Sequence, residues 1–150
     1  MPSLIVSVSS RSMLPEVRKA IRSIRGVETV VTQRKAAAKA EPSPVVKSQL
    51  ERIDELARLK PNWDDEGAMP IEPSALLNVR RLVRKLDDEI LGKWAIFPDV
   101  NGTILMETLN GDASVSIGNT QFTYTSPRQK ANKQRLTATA LYNVIKSISV

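Results

Sequence analysis

From Lys47 to Gly92 the apolar positions recur every three or four residues, and from Lys93 to Thr125 they recur every two. The chain therefore changes from helix to strand near Gly92. Val46, Leu50, Ile53 and Leu56 form one stripe of a predicted helix over Lys47–Leu59, with Glu51, Asp54, Glu55 and Arg58 largely opposite. Pro73 suits a first helical position, and Leu76, Val79, Leu82 or Val83, Leu86 and Ile90 carry a second helix to Gly92. Its exposed side would hold Arg80, Arg81, Arg84 and Lys85, and its C-terminal end Asp87, Asp88 and Glu89, where acids oppose the helix dipole and call for a partner.

Four short strands follow: Trp94–Phe97, Thr103–Leu109, Ala113–Ile117 and Gln121–Thr125. Asn101-Gly102 signals a type I′ hairpin, and Asn110-Gly111-Asp112 and Gly118-Asn119 mark further turns, so neighbouring strands pair antiparallel as a meander. Val115 and Ile117 alternate with Ser114 and Ser116, which leaves one sheet face wet and the other against the helices. After a polar lead-in holding Arg128, Lys130, Lys133 and Arg135, the positions Leu136, Ala140, Leu141, Val144, Ile145 and Ile148 predict an amphipathic helix that docks.

The first third is organised differently. Leu4–Val8 reads as a strand, Ser9–Ser12 as turn and N-cap, Leu14, Val17, Ile21 and Ile24 as a helix stripe ending at Gly26, and Val27–Thr32 as a second strand. One βαβ-like unit buries too little surface to stand alone, so it needs the rest of the chain, a second copy or another partner. The predicted organisation is α+β: a βαβ-like self-association segment over 1–33, a linker over 34–46 stiffened by Pro42 and Pro44, two helices on a four-stranded antiparallel meander over 47–125, and a basic lead-in with a C-terminal helix over 126–150.

Charge divides the chain further. Residues 1–40 carry eight basic and two acidic side chains, 41–125 carry nine and fourteen, and 126–150 carry five and none. A basic, acidic, basic order points to an anionic partner for the ends, or to contacts between the ends of one copy and the middle of another. With no Cys and no His, disulfide frameworks, thiolate zinc sites and the commonest general base are excluded. No apolar run approaches a membrane span and the opening residues lack a signal-peptide pattern, so a cytoplasmic location is expected.

Candidate chemistry centres on the segment between the two helices, Lys-Pro-Asn-Trp-Asp-Asp-Glu-Gly-Ala-Met-Pro-Ile over 60–71. Trp63 is expected to plug the core between the helices, while Asp64, Asp65 and Glu66 form an acidic rim for a basic partner. Asp64, Asp65, Glu66, Glu72, Asp99, Glu107 and Asp112 could also supply a magnesium or general acid/base pair for a metal-dependent hydrolase. Three adjacent loop acids do not point one way, the calcium-loop spacing is absent and there is no activated nucleophile, so catalytic residues, metal and cofactor are all expected to be absent. A second binding alternative uses Arg18, Arg22 and Arg25 with Arg128, Lys130, Lys133 and Arg135 against nucleic-acid phosphates.

The run Asn62-Trp63-Asp64-Asp65-Glu66-Gly67-Ala68-Met69-Pro70-Ile71 between helices, followed by Pro98 and Asn101-Gly102, resembles a family of small uncharacterised bacterial proteins carrying Asn-Trp-Asp-Gly-x-Gly-Ala-x-Pro-Ile before a β-meander. The resemblance covers residues 50–125, and Asp65 departs from it where the family has Gly. Residues 1–32 are similar to the start of small antitoxin-like proteins of Bacteroidetes type. Together these resemblances imply a non-enzymatic, partner-binding component of a bacterial two-gene system, such as an antitoxin facing an RNA-cutting toxin encoded nearby.

Overall fold

The structure is a computed structural model that describes residues 41–150 together with Val17, Lys19 and Ala20, and the chain divides into two units between Ala40 and Glu41. Val17, Lys19 and Ala20 are helical. The rest of the predicted βαβ-like segment, its role in self-association, and Arg18, Arg22 and Arg25 lie outside the described residues.

In the second unit, helix α1 spans Pro44–Leu56, three residues earlier than its predicted start. Ser43 supplies the reason: its hydroxyl accepts from the Val46 amide at 3.2 Å while Pro44 takes the first helical position, so the end of the predicted linker is the beginning of the helix. Helix α2 covers Pro73–Val83 and ends well short of Gly92. A short helix α3, Asp88–Leu91, follows with Asp87 at its N-cap. The three acids thus stand at a helix start, where the dipole favours them, and the Ser43 hydroxyl donates to Asp88 at 2.6 Å. Leu86, inside the break, is buried at helical spacing from Leu82 and Val83, but the next fully buried position is Leu91, five residues on, and the predicted Ile90 is only partly buried.

The sheet holds five strands in sequential antiparallel order: β1 Trp94–Pro98, β2 Ile104–Thr108, β3 Ser114–Ile117, β4 Gln121–Thr125 and β5 Lys130–Arg135. Beyond the four predicted strands, the basic lead-in is itself a strand, paired with β4 through Gln121↔Arg135, Phe122↔Gln134, Tyr124↔Ala131 and Thr125↔Lys130, with a bulge between Phe122 and Tyr124. Its pattern carries no apolar alternation because both faces of this edge strand are largely wet. Helix α4, Ala138–Ser149, starts at Thr137, whose hydroxyl accepts from the Ala140 amide.

Trp94, Ile96, Ile104, Met106, Val115, Ile117 and Phe122 point from the sheet into one apolar core with Ile53, Leu56, Val79, Val83, Leu141 and Ile145 from the helices. No polar side chain is buried among the described residues. Trp94 is the indole at the centre of this core, 1% exposed, and its Nε1 donates to Ser149 Oγ at 2.9 Å, tying β1 to the end of α4. Across the helices Arg80 pairs with Asp54, so it serves the α1–α2 contact instead of an exposed basic cluster.

The two edges of the sheet differ. Along β1 the Gln49 amide donates to the Trp94 carbonyl at 3.0 Å and Arg52 Nε to the Ile96 carbonyl at 3.2 Å, so α1 covers that edge with side chains. The β5 edge carries Lys130, Lys133 and Arg135, all exposed.

Candidate functional site

Residues 57–72 connect α1 to α2, and 61–72 of them form a loop closed on itself by short polar contacts. The Asn62 amide donates to the Ala68 carbonyl at 2.8 Å and the Asn62 side-chain oxygen accepts from the Gly67 amide at 2.7 Å. Asp64 Oδ1 accepts from the amides of Glu66 and Ala68, each at 2.9 Å. These amides, Ala68 first, hold the Asp64 carboxyl below its ordinary pKa, because they bond best to the charged form. Three residues take positive φ: Asn62 at 64°, Asp65 at 63° and Gly67 at 99°. Asp65 therefore occupies a left-handed position of the kind that favours glycine.

Trp63 does not plug the core. It is half-buried and outside the core cluster, and its Nε1 donates to the Met69 carbonyl at 3.0 Å, so the ring pins the two arms of the loop together. Ala68 and Ile71 are the buried residues of the loop, and Ile71 belongs to the core cluster.

The loop is in turn fixed to the β1–β2 hairpin. The Met69 amide donates to the Val100 carbonyl at 2.8 Å, and the Glu72 amide to the Gly102 carbonyl at 2.9 Å. Gly102, at φ 85°, has room for no side chain: a Cβ would meet the Pro70 carbonyl oxygen at 2.9 Å. The hairpin turn is closed by the Gly102 amide to the Asp99 carbonyl at 3.0 Å, and Gly102 is its only left-handed residue, so it is not the predicted type I′ turn, which needs two. Thr108–Gly111 repeats this geometry, with the Gly111 amide on the Thr108 carbonyl and φ 74° at Gly111.

Two apolar side chains stand out where loop and hairpin meet. Met69 is 54% exposed and Val100 56%, their backbones are hydrogen-bonded, and Trp63 is attached to the Met69 carbonyl. The two contributing segments, residues 61–72 and 97–103, hold Asp64, Asp65, Glu66, Glu72 and Asp99 and no Lys or Arg, while Arg58 and Lys60 precede the first of them in the chain. Asp65 and Glu66 are exposed, whereas Asp64 is committed to the loop amides and Asp99 lies 3.1 Å from the Thr103 hydroxyl. The result is an apolar spot with an acidic surround. Met69 and Val100 were not singled out by the sequence; the available signal was a large apolar residue at the variable position of the motif and another in the middle of a turn.

The remaining candidates lie elsewhere. Glu107 is on β2 and Asp112 in the β2–β3 turn, where its carboxylate accepts from the Asn110 amide group at 2.7 Å. Among the described residues no three acids come together as a metal-holding group. Arg128 lies in the β4–β5 turn, and Lys130, Lys133 and Arg135 are on β5. No helix among the described residues is long and apolar enough to cross a membrane. Family models, curated proteins and solved structures provide no match to this chain.

Proposed function

We propose that this chain is a non-enzymatic binding component of a bacterial two-gene system, which takes a basic protein partner on the patch formed by Trp63, Met69 and Val100 with the carboxylates of Asp65 and Glu66. The observation that carries this reading is the exposed Met69–Val100 pair beside Trp63, in two segments with five acids and no base. An exposed apolar group gives a partner surface to bury, a tryptophan is among the residues that most often anchor interfaces, and an unbalanced acidic surround steers basic proteins toward it. Asp64 contributes indirectly by holding the loop in shape. The resemblances of the motif and of residues 1–32 support placing the chain among antitoxin-like proteins, with a toxin encoded next to it as the partner.

The test is co-purification of the neighbouring gene product with the full chain. Asp65→Lys with Glu66→Lys, and separately Met69→Ser, should abolish or strongly weaken capture while the melting temperature stays within about 3 °C, as expected for exposed substitutions on a domain of this size. Undiminished capture by the doubly charge-reversed protein overturns the proposal.

A further inference from the structure

After Asp112 the chain contains no Asp or Glu, yet it holds Arg128, Lys130, Lys133, Arg135 and Lys146. The fold concentrates the first four of these. Arg128 sits at the β4–β5 turn and the other three on β5, all are exposed, and the ion pairs formed among the described residues involve none of them. Register sets their direction. Phe122 is buried, so Gln121, Thr123 and Thr125 face away from the core, and the pairs Gln121↔Arg135 and Thr125↔Lys130 place Arg135 and Lys130 on that same outer face. Ser114 on β3 continues it with a hydroxyl opposite Thr125, whereas the Ser116 hydroxyl, opposite Thr123, is taken by Thr103 at 2.9 Å and Asp99 at 3.5 Å and marks where the face ends.

We propose that this outer face of β3–β5, from Arg128 to Arg135, docks the phosphate backbone of a nucleic-acid duplex, with Arg128, Lys130, Lys133 and Arg135 neutralising phosphates and the Ser and Thr hydroxyls donating to them.

Charge and shape select this occupant over others. A second copy paired edge to edge would set the same basic residues against one another. An acidic peptide added as a further strand would meet the bulge between Phe122 and Tyr124 and the left-handed Lys133, φ 51°, whose amide is already given to Thr123 Oγ1 at 3.2 Å. A single strand needs aromatic rings to stack on, and the aromatics of β4, Phe122 and Tyr124, point to the core face with their rings stacked at 6.2 Å. What this face offers is charge and hydroxyl donors spaced along a strand. Lys130 to Arg135 spans roughly 16 Å at about 3.3 Å per residue, several times the rise of about 3.4 Å per phosphate along the axis of one duplex strand, so the four side chains can reach separate phosphates. Contacts of that kind position a duplex and do not read its sequence.

Fluorescence anisotropy of the full chain with a labelled 24-base-pair DNA duplex across a salt series tests the proposal. Binding should fall steeply with salt, and changing Arg128, Lys130, Lys133 and Arg135 together to Ala should flatten the log–log salt slope by about 3 to 4 units, from roughly 0.9 per phosphate contact. The charge-conserving set Arg128→Lys, Lys130→Arg, Lys133→Arg and Arg135→Lys should retain the slope, which separates lost charge from a disturbed strand. Two duplexes of unrelated sequence should bind alike. An unchanged slope in the alanine set, absence of binding at low salt, or polyglutamate competing as well as unlabelled duplex would each overturn it.

Discussion

Gly102 and Pro70 are in backbone contact across the loop–hairpin junction: the Pro70 carbonyl oxygen lies 2.9 Å from where a Gly102 Cβ would stand. The glycine of the hairpin and the Ala-x-Pro-Ile end of the loop motif are two sides of one interface. Gly102→Ala should cost about 2 to 4 kcal/mol, combining a left-handed backbone with a clash that neither segment can relieve. Gly111→Ala shares the left-handed backbone, φ 74°, but has nothing within 4 Å of the new methyl, and should cost only about 1 to 2 kcal/mol. Chemical denaturation of both variants checks the contrast, and equal losses would mean that the contact with Pro70 is unimportant.

The two tryptophans should respond very differently to truncation. Trp94→Ala empties the centre of the core and breaks the bond to Ser149, so a loss of about 3 to 5 kcal/mol is expected. Trp63→Ala removes a half-buried ring and one hydrogen bond to Met69, with a loss of about 1 to 2 kcal/mol. Urea unfolding midpoints order the two, and the reverse order would show that Trp63 contributes to the core after all.

Asp65→Gly should be neutral or stabilising by up to about 1 kcal/mol. The native φ of 63° strains an L-residue and suits glycine, which offsets the extra freedom glycine has when unfolded. A measured destabilisation above about 1 kcal/mol would mean that the Asp65 carboxylate makes a contact of its own.

Acid should loosen the motif loop through Asp64. Its pKa is lowered in the folded chain, so its contribution is complete above the ordinary carboxyl range near ~3.9 and is lost as pH falls through the lower folded value. In an NMR titration the amides of Glu66 and Ala68 and the Trp63 indole N–H should shift together below about pH 4. Asp64→Asn keeps an oxygen acceptor for both amides but cannot titrate, so the same signals should stay flat over that range. Identical acid shifts in the variant would assign the transition to another group.

How much of this could be read from the chain depends on burial. The helices α1, α2 and α4 and the strands β1 to β4 each bury one stripe, so their periods are written in Ile53, Val79, Leu141, Ile96 or Val115. Strand β5 buries no side chain fully and leaves no such record. The end of α2 was concealed because Leu86 and Ile90 continue the helical spacing of apolar positions through a turn, although Leu91 and not Ile90 is the residue fully buried after it. Trp63 and Trp94 are the same residue type, and only long-range packing decides which one is enclosed. The acidic loop was legible as composition, whereas the exposed Met69–Val100 pair depends on a contact between residues 31 positions apart.

The covering of β1 by Gln49 and Arg52 has a consequence for how copies of this protein can associate. Fibre growth by strand pairing needs two free edges per molecule, one to receive and one to offer. Here one of the two is closed by side chains of α1. Edge pairing between copies through this sheet would therefore stop at two molecules at most, and the Lys130, Lys133 and Arg135 of two facing β5 edges oppose even that.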